Sequence, residues 1–101
     1  MYGLCVRFDL RDAAAATAFD QLVDEARPGI AGEPGTLLYL VHEVEGEPLS
    51  RVFYEIYKDR SAFEAHEDAA HTRRFLAERE AHLASLRVEF LTPTSGKGLP
   101  S

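Results

Sequence analysis

The sequence predicts an α+β domain in which helices cover one side of a four-stranded antiparallel sheet. Three observations carry this. Four stretches place apolar residues at the two-residue period of a strand. Two others repeat them at the three- and four-residue spacing of a helix. Their order along the 101 residues is strand, helix, strand, strand, helix, strand. Short, uncrossed, right-handed connections fold that order into the ferredoxin-like βαββαβ arrangement.

Each element has its own warrant. In residues 2–10, Leu4, Val6 and Phe8 alternate with Cys5, Arg7 and Asp9, which predicts a strand with both faces at least partly covered. Asp12 caps the helix that follows, and an alanine run favours it. Ala15, Phe19, Leu22, Val23 and Ala26 form its buried stripe, and Pro28–Gly29 is expected to end it. Residues 32–36 make a turn into the strand 36–44, apolar on both faces, with Leu37, Tyr39 and Val41 opposite Leu38, Leu40 and His42. A turn at 45–48 leads to the strand 50–58. The next segment is helical, with Ser61 and Glu64 as a capping box, a break at Glu67–Asp68, and Asp68 capping the second half. A last strand runs from 86 to 93. Residues 1–93 are therefore one domain, and 94–101 an unstructured tail.

Composition narrows the function. A net charge of −6 disfavours nucleic acid and anionic membranes, which require clustered Lys and Arg. No stretch approaches the ~20 apolar residues of a membrane helix, and the start lacks the pattern of a signal peptide. One cysteine, Cys5, allows no internal disulfide, which points to the cytoplasm; its apolar surroundings read as a buried, inert thiol. Because helices cover one sheet face and strand 36–44 is apolar on both, the other face predicts a homodimer with sheets packed face to face.

The stretches EPGTLLYLVH and VFYEIYKDRSAFEAHEDAAHTRRFL resemble the antibiotic biosynthesis monooxygenase family of dimeric α+β barrels. The shared pattern runs through Glu33, Pro34, Gly35 and Tyr39, then Tyr54, Glu55 and Tyr57, then Asp59, Ala62, Phe63, His66 and His71. The resemblance spans about residues 2–92. It implies a dimer with a cavity between helices and sheet in each subunit. For members that oxygenate, it implies chemistry without metal, flavin or haem: a phenol or hydroquinone loses a proton and the anion reduces O2. Haem is not expected, since Arg7 and Leu76 stand where haem-degrading relatives carry an asparagine and a histidine ligand, and no tryptophan is present.

The candidate residues follow. Glu55 sits mid-strand, where charge is rare; burial there would raise its pKa and suit it to take a proton, unless it pairs with Arg7 on the neighbouring strand. His66 and His71 are natural proton carriers, or ordinary surface histidines. Five residues on a continuous helix point about 140° apart, so the break is needed to turn both to one cavity. Glu55, His66 and His71 also make a two-histidine, one-carboxylate set, but without H-x-x-x-H spacing, and no metal is assigned. Arg7 or Tyr39 would steady an anion, and Tyr57 and Phe63 would line the pocket. The reading is a cofactor-independent monooxygenase of a small aromatic or enolisable substrate. A non-catalytic dimeric binding or stress-response module and an isomerase of a small carbonyl compound are the alternatives.

Overall fold

The pleat of four strands sets the architecture, and the computed structural model describes residues 1–98. The elements are β1 (Tyr2–Leu10), α1 (Ala13–Ala31), β2 (Thr36–Val44), β3 (Glu47–Tyr57), α2 (Arg60–Asp68), α3 (Ala70–Glu78), a 3-10 turn (Arg79–His82) and β4 (Leu83–Leu91). The sheet order is β2-β3-β1-β4 with every neighbouring pair antiparallel, the ferredoxin-like α+β fold expected. No helix among the described residues is long and apolar enough to cross a membrane.

Register divides the side chains between two faces. Leu4, Val6 and Phe8 lie opposite Glu55, Phe53 and Arg51 on one side and Phe90, Val88 and Leu86 on the other. The helices cover the centre of this face and leave Leu86, Val88 and Phe90 of β4 between 39% and 58% exposed. Phe8, Phe19, Phe53 and Phe75 form its centre, with ring centroids between 4.6 and 6.4 Å apart. Such tilted, edge-on and stacked contacts add about 0.5–1.5 kcal/mol per pair beyond area burial. Among the described residues, no helix covers the opposite face. There Leu40 pairs with Tyr54, and they remain 44% and 37% exposed. Cys5 lies on this uncovered face beside Tyr54, half-buried rather than sealed in a core.

Several boundaries differ from the sequence reading. Helix α1 passes through Pro28 and Gly29 to Ala31, with Gly32 closing it. An interior proline forfeits one hydrogen bond and costs about 3 kcal/mol. Burial of Ile30, one turn beyond Ala26, offsets it by fastening the last turn. Gly29 has a second role: a Cβ there would stand 2.3 Å from His71 Nδ1, so only glycine admits the imidazole. Asp59, not Ser61, caps α2, accepting from the Ala62 amide at 2.8 Å, while Glu64 turns to Arg60. The helix starts early because the Lys58 amide is tied to the Gly35 carbonyl at 2.9 Å, turning the chain just after β3. The break falls at Ala69, whose extended ψ of 142° separates α2 from α3. Asp68 does not cap α3; it takes Arg73 Nη2 at 2.9 Å. Strands β3 and β4 begin three residues earlier than expected. Residues 92–98 carry neither helix nor strand, and 99–101, the rest of the expected tail, lie outside the described residues.

Candidate functional site

Alternation along β3 carries Phe53, Glu55 and Tyr57 together toward the helices. Glu55 therefore sits between Leu4 of β1 and Tyr39 of β2, with only 5% of its surface exposed. Tyr57 Oη donates to Glu55 Oε1 at 2.5 Å, which holds the carboxyl in place. Burial pushes the Glu55 pKa up to about 7, and the negative charges of Glu67 and Glu33 add to this. The Tyr57 hydrogen bond and the Arg79 charge pull the other way without cancelling it. Burial also lifts the Tyr39 and Tyr57 phenols above their ordinary range, with the Glu55 charge reinforcing it. Both tyrosines stay neutral donors while Glu55 sits near the midpoint of its titration at neutral pH.

The two histidines do converge, and the carboxylate they share is Glu33. His66 Nδ1 lies 2.8 Å from Glu33 Oε1, and His71 Nε2 lies 2.5 Å from Glu33 Oε2. Thr36 Oγ1 donates to Glu33 Oε1 at 2.6 Å. Burial alone would raise the Glu33 pKa; the bonds from Thr36, His66 and His71 outweigh it and hold the carboxylate below its usual range. The break at Ala69 makes this possible, since it re-aims α3 so that His71 faces back toward His66. Glu33, His66 and His71 each offer one ligand atom, all within 4.8 Å of one another. They are the residues here that could hold a cation, but as they stand they satisfy one another by hydrogen bonds. Glu55 is not part of that set.

A cavity of about 120 Å³ opens between the sheet and helices α2 and α3. Glu55, Tyr39 and His66 line it, with Phe63, Phe90 and Arg79. Its size matches one benzene-sized ring. A larger, open groove of about 580 Å³ runs between α1 and the β2 edge, away from Glu55. Its Asp20 and Arg51 already pair at 3.0 Å, leaving little unsatisfied chemistry there.

Four of the seven expected residues, Glu55, His66, Tyr39 and Phe63, thus line the cavity. Tyr57 reaches it through Glu55, and His71 stands behind Glu33. Arg7 lies on the opposite sheet face, bonded to Asp9, Glu47 and Ser50 and 38% exposed, so it neither pairs with Glu55 nor enters its own subunit's cavity. The cause is the strand period: Arg7 alternates with Val6 and Phe8, which face the helices. Sequence reasoning missed Arg79 and gave Glu33 no chemical role. Arg79 was visible as the continuation of the Thr72, Phe75 spacing; Glu33 stood in the E-P-G turn.

Comparison with known proteins places these features in context. The model of the family described as antibiotic biosynthesis monooxygenase matches residues 1–78. Rv0793 from Mycobacterium tuberculosis superposes with a TM-score of 0.88 at 23% identity, covering 96% of this chain and 98% of that one. A crystal structure of an antibiotic biosynthesis monooxygenase gives 0.85 at 22%, over 94% and 100%. PA3566 from Pseudomonas aeruginosa gives 0.83 at 21%, over 93% and 94%. At these identities the likeness carries the fold. No curated protein matches the chain.

The Glu55 environment predicts a stability signature. The folded chain keeps the Glu55 proton up to about pH 7, while the unfolded chain releases it near 4.5. That stabilising difference is complete below the unfolded pKa and is lost as pH rises through the folded one. Glu55→Gln keeps an acceptor for Tyr57 and carries no charge. In thermal or denaturant unfolding it should exceed wild type by about 2–3 kcal/mol at pH 8, with the gain shrinking toward pH 5. A gain that does not change with pH would contradict the assignment.

Proposed function

Because the chain belongs to the antibiotic biosynthesis monooxygenase family, we propose that it is a cofactor-independent monooxygenase of a small, single-ring phenol or quinol, or of an enolisable molecule of that size. The observation that carries this reading is Glu55: a buried carboxyl with a pKa near 7, facing an aromatic-walled cavity. A base is most useful when its pKa lies near the working pH.

The Glu55 carboxylate accepts the substrate's acidic proton. Tyr57 fixes the carboxyl, and the neutral Tyr39 phenol donates a hydrogen bond to the developing anion. His66 is the second proton carrier at the cavity. The electron-rich anion then passes one electron to O2, the radical pair combines to a peroxide at carbon, and loss of water leaves a carbonyl. One oxygen atom ends in the product and the other in water; the substrate supplies all four electrons. An isomerase of a small carbonyl compound would use the same Glu55 and His66 to move a proton between two carbons without consuming oxygen. A binding module would use the cavity alone.

The exposed Leu40 and Tyr54 support a homodimer with the uncovered sheet faces packed together. We place residues 1–93 in that folded unit, in a reducing cytoplasm. Sedimentation at micromolar concentration should give a species of twice the protomer mass, and a monomer alone would refute the dimer.

The reaction is tested by oxygen uptake with a panel of quinols, phenols and β-dicarbonyls. At least one class should drive uptake, and Glu55→Gln should lower it by about 10²-fold or more. Absence of uptake across the panel, or uptake indifferent to the substitution, would overturn the proposal.

A further inference from the structure

Among the described residues, Arg79 is the one Lys or Arg that lines the cavity, and nothing in the mechanism above uses it. It closes α3 and opens the 3-10 turn, one helical repeat beyond Phe75. Its side chain is 16% exposed, and its guanidinium carbon lies 5.5 Å from the centroid of Phe8 and 5.9 Å from that of Phe75. The stem and fork are therefore fixed against two core rings. Its Nε is buried and has no hydrogen-bond partner among the described residues. Glu80 approaches it only to 3.8 Å, too far for a hydrogen bond, and is itself 68% exposed. Glu55 and Glu67 share the cavity wall, yet neither forms an ion pair with Arg79.

A guanidinium cannot shed its charge, so one that is mostly desolvated and has only the loose, solvent-exposed Glu80 carboxylate near it, with no hydrogen bond to its buried Nε, is held at a cost. A carboxylate delivered by a ligand meets that cost best, because its two oxygens match the planar fork. A phenol, neutral at rest, would leave the cation with no closer partner than Glu80 until after proton transfer. The cavity volume of about 120 Å³ limits the rest of the ligand to one small ring. Phe63, Phe75 and Phe90 supply the faces such a ring needs.

We infer that the cavity selects a single-ring carboxylate, with Arg79 as the residue that binds the carboxylate. This deepens the proposed function by naming the substrate class and rests on the same cavity. Arg79 then sets orientation: with the carboxylate on the fork, the ring lies among the phenylalanines and its far edge is turned toward Glu55.

The test is binding, which needs no turnover. Benzoate and benzamide have nearly the same shape and differ in charge. Titration calorimetry at pH 7 should find benzoate at least about tenfold tighter than benzamide on the wild-type protein. Arg79→Met keeps an aliphatic stem over Phe8 and Phe75, and should erase that preference; Arg79→Lys should restore part of it. A purely packing role for Arg79 would change stability and leave the preference intact. Equal binding of the two probes, no benzoate binding, or a preference that survives in Arg79→Met would each overturn the inference. Should Arg79→Met not fold, the wild-type ratio decides alone. A benzoate preference in a protein that consumes no oxygen contradicts the oxygenase and not the anion site. Oxygen uptake without any benzoate preference does the reverse.

Discussion

The burial of Glu55 among aromatic rings is the constraint to which the rest of the structure answers. A carboxyl group moved from water to such a place is held at a cost unless it is hydrogen-bonded or neutral. Tyr57, two residues on and on the same face of β3, supplies the bond. Tyr57 is itself fully buried, its ring 5.4 Å from Phe63 and 5.2 Å from His66. The strand pleat, the phenol and the α2 rings therefore hold one oxygen pair in one place. Holding it there keeps Glu55 half-titrated at neutral pH, which is what a proton-transfer site requires and what a well-packed core would avoid.

The Glu33 cluster serves that placement from behind. It gathers the turn before β2, the end of α2 and the start of α3 onto one carboxylate. Two close approaches show how tightly these parts meet. A Cβ on Gly29 would collide with the His71 ring, and one on Gly35 would stand 2.5 Å from Ala62 Cβ. The cluster also locks the ring of His66, the member that reaches the cavity. Fixing a cavity group through a chain of satisfied hydrogen bonds is how a site keeps its geometry without spending its reactive groups.

Much of this was legible in the sequence. Period-two alternation marked every strand, and β2 was placed to the residue because its apolar run is bounded by a glycine turn at one end and an acidic turn at the other. Glu55 stood out as a charge in a strand of apolar and aromatic residues. What stayed hidden depends on distance in space. Pro28–Gly29 looked like a stop signal because the burial of Ile30 and the seat for His71 are tertiary facts. Ser61 looked like a cap because the tie between Lys58 and Gly35 cannot be read locally. Arg7 and Arg79 exchanged places as the cation of interest: Arg7 belongs to the uncovered face by parity, and Arg79 reaches the cavity only once α3 is laid over Phe8.

The chemistry of the site depends on Glu55 titrating near neutral pH in the folded protein. A ¹³C NMR titration of protein labelled at the glutamate side-chain carboxyl, with the Glu55 signal assigned by its loss in Glu55→Gln, measures this directly. A midpoint near 7 is expected for that one carboxyl. A midpoint near the ordinary 4.5 would contradict it.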